Sequence, residues 1–280
     1  MSPLDFTLIT LGISIAAGFF GSLLGIGGGI LVIPALTMLL HIDIRYAIGA
    51  SIVSIIATSS GAAAAYVREH MTNLRVAMLL ELGTTAGALT GAFLSGLIAG
   101  RWLFAIFGLV LGYSALAMLR AHGKHAATPV PPDAWADSLQ LHGEYFDESE
   151  NRTIHYRVAR TRLGLLLMYA AGVVSGLLGI GSGALKVPAM DLAMRLPIKV
   201  SAATSNFMIG VTAAASAGVY FARGDIDPFI AAPVAAGVLL GAIAGSRLLG
   251  KLHSHWIRVA FVILLLIVAL QMLWHGVSPP

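Results

Sequence analysis

One stretch, Gly25-Ile26-Gly27-Gly28-Gly29-Ile30-Leu31-Val32-Ile33-Pro34-Ala35, returns almost letter for letter as Gly179-Ile180-Gly181-Ser182-Gly183-Ala184-Leu185-Lys186-Val187-Pro188-Ala189. Each copy sets glycines and then a proline inside a long apolar segment. Glycine has no Cβ and costs a helix about 1 kcal/mol relative to alanine. Proline lacks the amide donor and clashes with the preceding turn. An apolar segment carrying both is expected to break partway along.

The setting of these breaks is a membrane. The 280 residues are 58% hydrophobic and only 11% charged, against about 25% charged in an ordinary soluble domain. The mean hydropathy is +0.87. Apolar runs of roughly the ~20 residues needed to cross a bilayer recur along the chain. The net charge of +4 is read as basic loops on the cytoplasmic side, not as a nucleic-acid footprint. With no cysteine, the chain has no disulfide and no thiolate chemistry. The first apolar segment follows Asp5, is too long for a signal-peptide core, and is expected to stay in the mature protein. Broken backbone at bilayer depth is tolerated only where protein buries it or where it lines a cavity. Two such breaks at matching places in two halves point to a transport site.

The halves match at a constant offset of 154 residues. Gly18 falls on Gly172, Gly25 on Gly179, Pro34 on Pro188, Ser51 on Ser205, and Gly83, Gly87 and Gly91 on Gly237, Gly241 and Gly245. This is an internal duplication. The first half, 1–120, holds a broken segment (6–40) and apolar segments at 44–67, 75–98 and 102–120. The second, 162–280, holds a broken segment (162–194) and segments at 198–222, 228–250 and 256–274. Residues 121–161 form an aqueous loop with Pro129, Pro131, Pro132 and most of the acids. Alternation on either side of its polar run from Asp147 to Arg152 fits a small β-hairpin.

Charge placement selects a topology. If each broken segment is a re-entrant hairpin that returns to its own side, each half makes three crossings and the halves are inverted. One side then gathers Arg68, Arg75, Lys199, Arg247, Lys251, Arg258 and the loop, while the other keeps Arg45, Arg101 and Arg223 with Asp43, Asp225 and Asp227. The basic side is the cytoplasmic one, which puts 121–161 in the cytoplasm of a plasma-membrane protein. The expected fold is therefore all-α and polytopic, with two inverted repeats, each a glycine-rich re-entrant segment plus three transmembrane helices.

Several residues carry candidate chemistry. Lys186 takes the place of Val32, and a cation at bilayer depth normally has a purpose. Beside helix N-termini it would attract an anion; otherwise it would snorkel or pair with an acid such as Asp191. Glu81 is the acid in the middle of its segment and a candidate for proton coupling, or else a hydrated partner of Arg75 or Arg68. Ser51, and Thr204, Ser205 and Asn206, follow the broken segments and offer donors to a small oxyanion or hydrogen bonds between helices. The stripes Gly83-Gly87-Gly91 and Gly237-Gly241-Gly245 fit close helix packing, and Trp102 and Trp256 fit interfacial anchors. Around Ser182 the glycines are one residue away, not two, so a nucleophile elbow is excluded. His253 and His255 alone make a weak metal site. No catalytic residue, metal ligand or cofactor is expected.

The repeated glycine–proline pattern, with Gly49-Ala50-Ser51 and Thr204-Ser205-Asn206 after it, resembles the sulfite exporter TauE/SafE family of membrane permeases. The resemblance covers both apolar halves. It implies transport of a small sulfur-containing or organic anion such as sulfite or a sulfonate, and it marks Gly25, Gly27, Gly28, Gly29 and Gly179, Gly181, Ser182, Gly183 as the functional turns. Ser182 and Lys186 depart from the all-glycine, all-apolar motif. The expectation is a secondary transporter working by alternating access, with the anion held at the midplane by Gly27, Gly28, Gly29, Ser51, Gly181, Ser182, Gly183, Lys186, Thr204, Ser205 and Asn206. The lipid bilayer and a coupling ion, H+ or Na+, are its other partners. An anion channel and a non-transporting membrane scaffold are the alternatives.

Overall fold

Glycine ends the first helix of each half. The computed structural model describes residues 3–98, 100–120 and 132–277; Pro129 and Pro131 of the loop lie outside them. Helix α1 (Pro3–Leu24) stops at Gly25 and Gly27, both in the left-handed region at φ 72° and 75°. Helix α2 (Gly29–Pro34) then starts and passes into a π-helical turn, Ala35–Leu39. In the second half α7 (Thr161–Leu178) stops at Gly179 and Gly181, at φ 64° and 77°, and α8 (Gly183–Pro188) passes into the π-helical turn Ala189–Ala193. Pro34 and Pro188 sit at the same joints. Without an N–H, each proline leaves the carbonyl one turn back without its helical donor, and the ladder loosens there. Each short arm after a glycine turn spans only about 16 Å, roughly half a hydrocarbon core.

The remaining long helices are α3 (Ile44–Arg68), α4 (Leu74–Ser95), α5 (Gly100–Arg120), α9 (Ile198–Ala222), α10 (Pro228–Leu249) and α11 (Ser254–Val277). Side chains close the starts of α3, α4 and α10: Asp43 accepts from Arg45 N, Asn73 from Val76 N and Asp227 from Phe229 N. Among the described residues seven helices, α1, α3, α4, α5, α7, α10 and α11, are long and apolar enough to cross a membrane. The chain is an integral, multi-pass, all-α membrane protein. Helix α9 matches α3 in length but carries Lys199 and Asn206.

Packing crosses between the halves. Leu11, Ile15 and Phe19 of α1 meet Gly237, Gly241 and Gly245 of α10 in ascending order, so the two helices run the same way. Leu165, Tyr169 and Val173 of α7 meet Gly83, Gly87 and Gly91 of α4 in the same manner. A Cβ on Gly241 would stand 2.0 Å from Ile15 O, and one on Gly87 2.2 Å from Tyr169 O. The backbones touch, so these stripes are packing surfaces. Helices α3 and α9 cross at the centre, where Ile55 and Ile209 both border Gly27.

The bundle has two distinct ends. At one, Gly49 near the start of α3 lies against Asp225 O in the α9–α10 turn, and Arg223 donates to Ala92 O and Ser95 Oγ at the end of α4. At the other, a short helix α6 (Ala134–Ser138) and a hairpin of β1 (Gly143–Asp147) and β2 (Arg152–Tyr156) cover the turns. The strands are antiparallel, with Gly143 opposite Tyr156 and Asp147 opposite Arg152. Asn73 Nδ2 donates to Leu141 O and Tyr156 Oη, and Lys199 Nζ donates to Asp147 Oδ1 at 2.7 Å.

Candidate functional site

The two glycine turns meet inside the bundle: a Cβ on Gly183 would stand 2.4 Å from Gly25 O. Both turns are fully buried, so their backbone groups need protein partners. Matching side chains in the two halves supply them. Ser51 Oγ donates to Gly179 O at 2.6 Å, and Ser205 Oγ donates to Gly25 O at 2.6 Å. Tyr66 Oη donates to Ser22 O at 3.0 Å, and Tyr220 Oη to Gly176 O at 2.5 Å. Each serine therefore fastens the turn of the opposite half, and each tyrosine the segment before the turn of its own half.

Other candidates serve the same frame. Thr204 Oγ1 accepts from Asn73 N at 3.1 Å, which ties the start of α9 to the α3–α4 turn. Asn206 Nδ2 donates to Ser22 O at 2.5 Å. Gly28 N donates to Thr58 Oγ1 at 3.3 Å. Ser182 occupies the left-handed region at φ 56°, where its counterpart Gly28 has φ −64°, and its hydroxyl donates to Gly181 O. Left-handed backbone costs a non-glycine residue on the order of 1 kcal/mol. It is held in place here by the packing of the turn.

Beside the second glycine turn the frame carries charge. Lys186, on α8, is fully buried, and its Nζ donates to Thr212 Oγ1 at 2.7 Å and lies 3.4 Å from Glu81 Oε2. Thr212 Oγ1 in turn donates to Glu81 Oε1 at 2.6 Å, and Thr85 Oγ1 donates to the same oxygen at 3.0 Å. The Glu81 side chain is 13% exposed. Three elements, α4, α8 and α9, thus converge on a carboxylate–threonine–ammonium trio. At an offset of 154, Lys186 answers to Val32, Thr212 to Thr58, and Glu81 to Ala235. The duplication keeps the threonine and places the ion pair on one side alone.

Asp191 does not partner Lys186: it meets Arg258 of α11 at 2.8 Å. Glu81 pairs inward with Lys186 and not with Arg75, which donates to Gln140 O and Oε1. Thr212, the hub of the trio, was absent from the residues singled out by sequence. Its signal was available, because Thr58 and Thr212 match across the repeat. Among the described residues no cluster of three or more His, Asp or Glu side chains is arranged to hold a metal.

A polar cavity of about 290 Å³ opens at the end opposite the hairpin, lined by Arg45, Ser95, Arg223 and Asp225 among others. Its wall includes Ile48, whose Cγ2 lies against Gly179, and Tyr220, which bonds the same turn segment.

The family model for "Sulfite exporter TauE/SafE" matches residues 10–272 of this chain. The chain is similar to the "Probable membrane transporter protein YunE" of Bacillus subtilis (strain 168), with 28% identity over 96% of this chain and 97% of that protein. It is also similar to a "Probable membrane transporter protein" of Xylella fastidiosa (strain 9a5c), with 28% identity over 96% of this chain and 95% of that one. The "Probable membrane transporter protein YdhB" of Bacillus subtilis (strain 168) matches at 26% identity over 84% of this chain and 85% of its own length. No solved structure matches the chain.

Proposed function

This chain belongs to the sulfite exporter TauE/SafE family, and we propose that it is a proton-coupled secondary transporter of a small sulfur-containing or organic anion, such as sulfite or a sulfonate. That it is a membrane transporter and not an enzyme accords with the names of its relatives. The observation that carries the finer reading is the buried Lys186–Thr212–Glu81 trio beside the second glycine turn. A charge at this depth needs a partner. While Glu81 is a carboxylate, it supplies that partner. A proton on Glu81 removes it, and Lys186 then calls for another negative charge. An anion entering beside Gly181, Ser182 and Gly183 would answer, with Thr212 passing its hydrogen bond from one partner to the other. One proton and one negative charge would thus travel together.

The backbone amides of Gly27, Gly28 and Gly29 and of Gly181, Ser182 and Gly183 would line the path. Ser51, Thr204, Ser205 and Asn206 would hold the shape of those turns. Gly49 at the start of α3 lies against Asp225 O just past the end of α9, so these two equivalent helices run in opposite directions, which supports two inverted repeats with re-entrant arms. The basic residues at the hairpin end favour a cytoplasmic loop and a plasma-membrane location. Because each broken segment packs backbone to backbone on the other repeat, the moving bodies in alternating access are the pairs α1–α10 and α4–α7, not one repeat against the other.

The test is flux into proteoliposomes of radiolabelled sulfite, thiosulfate and a sulfonate, with and without an imposed pH gradient. The reading expects uptake of at least one of these that is driven by the gradient and lost in Lys186→Met. Flux indifferent to the gradient, with measurable conductance, would point to a channel. No flux of any anion would point to a scaffold.

A further inference from the structure

We propose that the cavity at the end opposite the hairpin is an outer anion-binding vestibule, with Arg45 as its ligand-contacting cation and Ser95 and Arg223 as its polar wall. The proposal rests on the reading of the chain as an anion carrier, and it adds a second site away from Lys186.

The argument comes from the duplication. Arg45 and Lys199 occupy the same position in the two halves, one residue into α3 and α9. Gly96 and Gly250 also match, as do Tyr220 and Tyr66. At the hairpin end the place beside the cation is filled from within. Lys199 is fully buried, and its Nζ donates to Asp147 Oδ1 at 2.7 Å, to Ser149 Oγ at 3.0 Å and to Gly250 O at 3.2 Å. A carboxylate, an oxyanion of the protein's own, is seated there by the hairpin.

At the other end the corresponding place is the open cavity of about 290 Å³, bordered by Arg45, Gly96 and Tyr220. The Asp147 carboxylate that fills the twin place is supplied by the hairpin at the far end. Arg45 is exposed and makes no ion pair among the described residues. Charge favours an anion further. The position that is Glu69 at the hairpin end is Arg223 here. Arg223 is neutralised by Asp225, with Nη2 to Oδ2 at 2.8 Å, and stacks over Tyr220 at 4.4 Å. Among the described residues lining the cavity, Arg45 is therefore left as the uncompensated charge. The ligand class is a small monoanionic oxyanion, a carboxylate or sulfonate, because that is what its twin already holds. Its position above Ile48 and the Gly179 turn places it on the way to the buried trio.

The experiment is residue-resolved labelling of the full-length protein in nanodiscs with phenylglyoxal, read by mass spectrometry, with methanesulfonate as the anion and methanesulfonamide as its neutral control. Methanesulfonate is expected to slow modification of Arg45 about tenfold, the loss that follows when a charge-assisted contact occupies the group. The sulfonamide should leave it unchanged, as should either probe at the exposed Arg157. The protection should persist in Lys186→Met, so a failure of the transport reading would not be mistaken for a failure of this one. In flux assays Arg45→Gln should raise the half-saturating anion concentration about tenfold with little change in maximal rate, and Arg45→Lys should restore most of it. Equal labelling of Arg45 with and without methanesulfonate, or equal slowing by the neutral amide, overturns the vestibule.

Discussion

Lys186 and Glu81 meet at 3.4 Å across the interior of the bundle, and neither has a charged counterpart in the other repeat. Val32 and Ala235 stand in their places. A duplicated scaffold that keeps one ion pair on one side only has an asymmetric task for it. Replacing Lys186 by Met leaves Glu81 buried without its cation; Glu81→Gln leaves Lys186 without its anion. Breaking a buried pair from one side costs about 3–5 kcal/mol, so each single variant should melt well below wild type. The double variant, with no uncompensated charge, should recover most of the lost stability. Flux should remain absent in the double variant, and Glu81→Gln alone should lose any dependence on a pH gradient. Melting by intrinsic fluorescence together with proteoliposome uptake checks both halves. A double variant that transports normally would remove the trio from the mechanism.

The matched serines give a prediction of equal effects. Ser51 bonds the Gly179 carbonyl and Ser205 the Gly25 carbonyl, each at 2.6 Å and each fully buried. Alanine at either site strands a buried acceptor, which costs about 1–3 kcal/mol. The two substitutions should lower the melting temperature by similar amounts. Cysteine, which keeps a weak donor, should lie between. A large inequality between Ser51→Ala and Ser205→Ala would mean that the two turns are not equivalent load points.

Much of this frame was legible in the chain. The breaks at Gly25 and Gly179 follow from residue types alone, because glycine and proline act on their own backbone. The family likeness followed from the same residues. The ion pairs were not legible. Asp191, five residues from Lys186, was the nearest acid in sequence, yet Arg258 of α11 holds it and the partner of Lys186 is Glu81, 105 residues away. Side chains at such separations meet through helix packing, which periodicity does not encode. The same limit hides the bond from Lys199 to Asp147. From sequence the hydroxyls of Ser51 and Ser205 suit either a small oxyanion or a bond between helices; their bonds to the Gly179 and Gly25 carbonyls depend on how deeply the opposite turn inserts.

The helix glycines divide into positions that must stay glycine and positions that need not. A Cβ on Gly241 would stand 2.0 Å from Ile15 O, whereas one on Gly12 would meet nothing within 4 Å. Gly241→Ala should push α10 off α1 and prevent recovery of folded protein, or lower its melting temperature severely. Gly12→Ala should be neutral or raise stability by up to about 1 kcal/mol, the helix-propensity gain. Detergent size-exclusion profiles and thermal melts distinguish the two. Tolerance of alanine at Gly241 would show that the two helices do not pack backbone to backbone.

The hairpin should be held to the bundle by charge over a defined pH range. Burial pushes the Asp147 carboxyl up, but the hydrogen bonds from Lys199, Ser149 and Tyr145 and the Lys199 charge outweigh it, and the net direction is down from the usual carboxylate value. A carboxyl held down in the folded state contributes stability that is complete above its ordinary pKa and fades as pH falls through the lowered one. Docking of β1 and β2 should therefore be flat from about pH 8 to about pH 5 and weaken only below about pH 4. Asp147→Asn removes the charge and one acceptor while Lys199 stays buried. That variant should open the hairpin at every pH, with loss of amide protection at Gly143–Tyr156 and at the start of α9. Hydrogen–deuterium exchange on the full chain in nanodiscs reads both effects. Lys199→Met in the Asp147→Asn background removes the stranded cation and should restore protection in α9 but not in the hairpin. If Asp147→Asn leaves both segments protected, the hairpin is held by Asn73 and the apolar contacts of Tyr145 and Leu141, and the ion pair is incidental.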